Sequence, residues 1–263
     1  MSGRFEPLSK MRAMRTNWNR WMEKERQLTL PGLAMAALVS LGLAFTLTAC
    51  ENVATYVQPS LVRVIDASYI APAIDVVVEG TELAINIGQG TITPYGTLPA
   101  NNAALISVTA ATGGASLVTS NGTLLPGHQH SVFLTDNGVA PTSYTVTVLE
   151  DQQISAAGGH SAFRFLNQAP KTGAVDVYMI PAGTTMANTI PIVVGLPVGS
   201  TAGYISFTSQ TVTMVITPTG ETTPKYTSQG LALTGGEVRT VLIVDTQLTS
   251  DPPVEVFMAN DVD

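Results

Sequence analysis

The sequence predicts an all-β protein: two tandem Ig-like antiparallel β-sandwich domains behind an N-terminal signal or anchor helix. Three observations carry this reading. Beyond residue 60, short runs rich in Thr, Val and Ile alternate with Gly, Pro and Asn turns, and β-branched side chains suit a pleated, half-buried surface. Within the runs, apolar and polar residues alternate with period two, as in Thr145-Val146-Thr147-Val148 and Thr211-Val212-Thr213-Met214. That period marks a strand with one buried and one solvated face. The pattern also recurs after about 100 residues, a spacing of tandem domains rather than of a solenoid.

Composition narrows the class. The chain has 263 residues, 45% apolar and 12% charged, which excludes a disordered chain. Its 23 glycines show no triplet period, which excludes a collagen-like one. Charge is split along the chain. Residues 1–49 hold seven Lys/Arg and three Glu, whereas residues 50–263 hold five basic and sixteen acidic residues, 5 − 16 = −11. Such a body repels phosphates, so nucleic acid is not an expected partner.

Taken in order, the first element is a leader over residues 1–49. A basic stretch precedes 22 uncharged residues, LTLPGLAMAALVSLGLAFTLTA, over 28–49, the arrangement of a secretory signal. The run closes on Leu47-Thr48-Ala49-Cys50. These four residues resemble the bacterial lipobox: an aliphatic residue, a small residue, Ala or Gly, then Cys. The resemblance implies cleavage between Ala49 and Cys50, a diacylglyceryl thioether on Cys50, acylation of the new amino group by a fatty acid such as palmitate, and a body held in the bacterial cell envelope by membrane lipid. Glu51 stands where an Asp would resemble an inner-membrane retention signal, which points to the outer membrane. The alternative is an uncleaved anchor, since 22 apolar residues span about 30 Å of hydrocarbon with the basic flank kept inside. Either way residues 51–263 are expected outside the cytoplasm. Cys50 is the one Cys of the chain, so the body has no internal disulfide and no Cys nucleophile.

A tether over 50–60 leads to a first domain, 61–150, with strands expected at 61–65, 74–79, 82–87, 104–110, 116–120, 131–135 and 144–149. The Gly-rich segment DQQISAAGGH, 151–160, is expected as a linker. The second domain, 161–263, has strands expected at 162–166, 175–180, 190–194, 203–208, 211–217, 226–231, 238–245 and 254–258. The halves echo each other. Val62-Arg63-Val64-Ile65-Asp66 matches Phe163-Arg164-Phe165-Leu166-Asn167, and Ala73-Ile74-Asp75-Val76-Val77 matches Ala174-Val175-Asp176-Val177-Tyr178, both at an offset of 164 − 63 = 101. Leu105-Ile106-Ser107-Val108 resembles Tyr204-Ile205-Ser206-Phe207, and Thr119-Ser120-Asn121-Gly122 resembles Thr227-Ser228-Gln229-Gly230. The openings, RVIDASYIAPAIDVVVEG from Arg63 and RFLNQAPKTGAVDVYM from Arg164, resemble the domain-of-unknown-function family 4397 of exported and envelope proteins. That resemblance implies a β-sandwich displayed at the surface and brings no catalytic residues with it.

Several side chains invite chemistry. Arg63 and Asp75 are twelve apart, as are Arg164 and Asp176; across a hairpin each pair would face across the ladder, and an ion pair fixing register is expected over a ligand-binding Arg. His128 and His130 would share a face if extended but read better as solvated, so no metal is expected. Asp75, Glu79 and Glu82, and Asp251, Glu255, Asp261 and Asp263, read as solvated acidic surface rather than as a glycosidase pair or calcium loop. Asn121-Gly122-Thr123 reads as a hairpin turn. Nucleophile-elbow, zincin, phosphate-loop and dinucleotide motifs are missing from the sequence, and no cofactor is implied. The expected role is a non-catalytic binding or structural one toward an envelope protein or polysaccharide. The alternative is an enzyme or accessory domain acting on envelope glycans.

Overall fold

The computed structural model describes residues 57–136, 143–247 and 249–262; Ala49, Cys50 and Asp263 lie outside them. The first half of the body forms β1 (Ser60–Asp66), β2 (Ile74–Val78), β3 (Thr81–Ile87), β4 (Gly96–Leu98), β5 (Asn101–Ala110), β6 (Ser116–Leu124), β7 (Gln129–Asp136) and β8 (Tyr144–Asp151). The second forms β9 (His160–Gln168), β10 (Val175–Pro181), β11 (Val193–Leu196), β12 (Thr201–Thr208), β13 (Gln210–Pro218), β14 (Tyr226–Thr227), β15 (Leu231–Leu233), β16 (Val238–Asp245) and β17 (Val254–Asn260). The described residues are all-β, with one 3₁₀ turn among them at Met186–Asn188.

Period two does the sorting. In β2, Ile74, Val76 and Val78 are buried while Asp75 and Val77 are partly exposed, so one face goes inward. Sheet β4-β1-β7-β8 packs on sheet β3-β2-β5-β6, and sheet β12-β9-β16-β17 packs on β11-β10-β13-β14, with β15 also on β13. Strand for strand the two halves share one order. Val62, Val64, Ile74, Ile106 and Val132 sit in the first core; Phe163, Phe165, Val177, Ile216 and Val241 sit in the second. A third apolar cluster joins the halves: Ile65, Ala67 and Phe133 meet Leu166, Leu242, Val244 and Ala259. The sheets holding β1 and β9 are therefore covered on both faces, and β7 reads as a nearly continuous buried run rather than as an alternation.

Four expectations need correction. The sheets are mixed rather than antiparallel throughout: β1 pairs with β7, and β9 with β16, in parallel. The segments 67–73 and 169–174 are sheet crossovers, not hairpin turns, so β1 and β2 never pair. The likeness of Leu105–Val108 to Tyr204–Phe207 is coincidental, because β5 pairs with β2 while β12 pairs with β9. The structural counterpart of β12 is β4, which pairs with β1. Asn121-Gly122 lies inside β6, not in a turn; a Cβ at Gly122 would fall 2.4 Å from Val148 Cγ2, so glycine is what lets β6 lie against β8.

Register locates the difference between the halves. Ile74 pairs with Ile87, and Val175 with Leu196, so the offset rises from 175 − 74 = 101 to 196 − 87 = 109. The extra residues fall in 182–192, which replaces the tight turn Glu79-Gly80, where both residues have positive φ. Strand direction then gathers features at two ends. At one end Gly127 N–H donates to Pro59 O (3.0 Å), Ser209 N–H to Gly159 O (2.9 Å) and Ala182 N–H to Thr211 O (3.2 Å), and Gln153 Nε2 to Gly127 O (3.1 Å). This tether end holds residues 57–59, the joint 152–159 and the loop 182–192. The opposite, loop end holds both crossovers and the turn 219–225.

Candidate functional site

The two arginines singled out from the sequence lie in the interior, 3% and 4% exposed, because odd positions of β1 and even positions of β9 face the other half. Arg63 donates from Nε to Ser131 Oγ (2.7 Å) and from its two Nη groups to Asn260 O and Asp261 Oδ1. Arg164 donates from Nε to Thr240 Oγ1 (2.8 Å), to Glu150 O (2.6 Å) and to Asp151 Oδ1. Each guanidinium also lies over a tyrosine ring, Tyr95 at 4.8 Å and Tyr204 at 5.0 Å. The tyrosines close the network: Tyr95 OH donates to Asp151 Oδ2 (2.8 Å) and Tyr204 OH to Asp261 Oδ2 (2.7 Å). Ser131 and Thr240 hydroxyls donate to the same two carboxylates, at 2.6 and 2.7 Å.

The arrangement is a pseudo-two-fold exchange. The arginine of each half is neutralised by the carboxylate that ends the last strand of the other half. Two positive and two negative charges with hydroxyl partners satisfy the condition under which buried ions are tolerated. Burial pushes the Asp261 carboxyl up, opposed by Thr240 and Arg164, and burial raises the Tyr95 and Tyr204 phenols far above their ordinary range. These groups hold the halves together, with three directions of each guanidinium already bonded internally.

The expected partners were therefore wrong while the structural role is kept. Asp75 accepts Asn86 N–H (2.7 Å), and Asp176 accepts Gly195 N–H (2.7 Å) and Gly220 N–H (3.1 Å); both carboxylates bond amides of the neighbouring, irregularly paired strand in the outer sheets, across the core from the arginines. Asp261 is likewise interior, not surface. Asp251 pairs with Lys225, Glu79 accepts Leu105 N–H (2.5 Å), and Glu82 and Glu255 are exposed. His128 and His130 diverge: His128 is half-exposed beside Glu150 Oε1 (2.5 Å). His130 is buried, accepts Leu125 N–H at Nε2 (3.2 Å) and is pushed down by burial. Among the described residues no group of three or more His, Cys, Asp or Glu is placed to hold a metal ion, and no helix is long and apolar enough to cross a membrane.

At the loop end, two carboxylates fix the crossovers. Asp136 accepts Ser68 Oγ–H (2.5 Å) and Tyr69 N–H (2.7 Å); Asp245 accepts Lys171 N–H (2.7 Å) and Thr172 Oγ1–H (2.6 Å). The backbone of each crossover is held while Tyr69 and Lys171 side chains stand in solvent. Tyr95, Ser131, Asp151, Tyr204 and Thr240 were missed from the sequence. Their signal was the second offset: 204 − 95 = 109 and 240 − 131 = 109.

Residues 60–178 match the model of the DUF4397 family, a domain of unknown function. The DUF4397 match takes in the first half, β9 and the first part of β10 of the second, and supports the family resemblance read from the sequence. No curated protein matches the chain. Among solved structures, the chain is similar to a family CBM26 module of Amy13K from Eubacterium rectale, crystallised with maltoheptaose, at 9% identity over 75% of this chain and 96% of that one, TM-score 0.22. It is also similar to a proposed cell adhesion protein from Bacteroides fragilis at 11% identity over 77% and 97%, TM-score 0.19. TM-scores of that size transfer no binding surface to this chain.

Proposed function

We propose that the protein is a lipid-anchored envelope protein that carries two tandem copies of the DUF4397 domain and has a non-catalytic binding or structural role. The signal is cut between Ala49 and Cys50, Cys50 carries the lipid, and the loop end is offered to an envelope protein or polysaccharide. The observation that carries this reading is strand direction. Residues 57–59 enter β1 at the tether end, and both crossovers, stiffened by Asp136 and Asp245, lie at the other. Shared strand order supports the tandem copies, and loops on a rigid sandwich are the usual carriers of recognition.

The test is capture by the full chain, in detergent, of envelope glycans and proteins, compared with a Tyr69→Ala/Lys171→Ala variant of unchanged thermal stability. Loss of capture by the variant supports a binding role of the loop end. Glycan cleavage during the assay would instead favour an enzyme. Metabolic fatty-acid labelling decides the anchor: label in the wild type and none in Cys50→Ser is expected, and equal label in both would overturn lipidation.

A further inference from the structure

We propose that the tether end of the body is a membrane-contacting surface, with Ile154 and Ile190 resting in the interface of the bilayer that holds the anchor. The inference rests on the anchoring reading, though either anchor, lipid on Cys50 or an uncleaved apolar segment 28–49, leaves the membrane at the same point of the chain.

Three observations converge. First, seven peptide steps lead from Cys50 to Val57, at most about 25 Å when fully extended. The tether end must sit within that distance of the bilayer, while the loop end lies a strand's length further, about 30 Å for a strand like β9. Second, the two most exposed large apolar residues described, Ile190 (84%) and Ile154 (78%), are both at that end, as is Val57 (60%). Gln153 is tied to Gly127, which is bonded to Pro59, so Val57 and Ile154 share one patch. Third, the segment by which the second half outgrows the first, 182–192, falls at this end and carries Ile190. Among the charged groups at this end, Arg239 is paired with Glu237 while Glu79, Glu82 and Glu150 are exposed, so the patch suits a zwitterionic lipid interface rather than an anionic one.

The experiment uses the full chain, with Trp18→Phe and Trp21→Phe to remove its own tryptophans, reconstituted in phosphatidylcholine vesicles with and without brominated acyl chains. Single tryptophans are placed by Ile154→Trp, Ile190→Trp, Tyr69→Trp and Ile85→Trp. Brominated lipid should quench the 154 and 190 probes at least twofold more than the 69 and 85 probes. Equal quenching at all four sites, or none at 154 and 190 in a chain that floats with the vesicles, overturns the proposal and leaves that patch for a protein or glycan partner. Fatty-acid labelling of the same preparation reports separately on Cys50, so failure of the lipidation reading is distinguishable from failure of the contact.

Discussion

The two halves build the same crossover with different chemistry. In the second half Asn167 accepts Ala169 N–H (3.0 Å) at its oxygen and donates from Nδ2 to Gly173 O (2.7 Å) and Leu196 O (2.9 Å). In the first, Asp66 accepts Ser68 N–H (3.0 Å) at Oδ1, but its buried Oδ2 has no hydrogen-bond partner. Burial pushes the Asp66 carboxyl up to about 7, opposed by the Ser68 amide and reinforced by Asp136. An amide satisfies this socket at any pH, whereas a carboxyl satisfies it best while neutral. Identical strand order thus does not mean identical response to conditions.

The largest effect is expected from cutting the joint. Each half keeps its own core, so 57–151 and 152–263 expressed separately should each unfold cooperatively. Each loses the third cluster and the carboxylate that neutralises its arginine, so both midpoints should fall well below that of the intact chain, and mixing the two pieces should restore much of the difference. Calorimetry checks it; separate halves as stable as the whole would show that the shared interface contributes little. Next come the arginines. Arg63→Ala and Arg164→Ala should each cost about 3–5 kcal/mol in urea unfolding, because each leaves a buried carboxylate without its cation. A cost under about 1 kcal/mol would mean the pair behaves as a surface one. Arg63 Nη2 also lies 3.7 Å from Asp151, so the double variant should be non-additive.

Smaller and directional is Asp66→Asn. A folded-state value near 7 against 3.8 for the free group means that the folded protein binds the extra proton. The stability this gives is full below about pH 4 and is lost as pH rises through about 7. Asp66→Asn should therefore match the wild type near pH 4, exceed it by roughly 1–3 kcal/mol at pH 8, and flatten the profile between. Asn167→Asp should bring the same slope into the second half. Unfolding titrations from pH 4 to 8 decide both, and a wild type whose stability is level across that range would sink the account. The smallest effect is His128→Ala, under about 1 kcal/mol for a half-exposed pair with Glu150, read as a change in melting midpoint.

What the sequence revealed, and what it hid, follows the range of the interactions. Alternation in 144–149 and 211–217 and the repeated Arg and Asp were legible because they depend on neighbours in the chain. The partner of Arg63 was not, since Asp261 is 198 residues away and belongs to the other half. Reading β1 and β2 as a hairpin made Asp75 look near; the crossover instead carries it to the far sheet. The three consecutive apolar residues Val132-Phe133-Leu134 in β7 already hinted at burial on both faces, and the jump from offset 101 to 109 already marked 182–192. Those signals become readable only once strand pairing is known.

The parallel pairing of β1 with β7 has a mechanical consequence. Strand β1, which follows residues 57–59, is one of the two central strands of its sheet, with β4 on one side and β7 on the other, and it points from the tether end to the loop end. A pull applied between residues 57–59 and the loop end runs along β1 itself. The cross-strand bonds, which lie across that direction, are then sheared together instead of being opened one at a time like a zip. Register holds over six consecutive pairs, Leu61 with Gln129 through Asp66 with Leu134, so no single bond carries the load. Resistance to tension along this line is set by β1 and its two neighbours, while the outer sheets lie off the line of force.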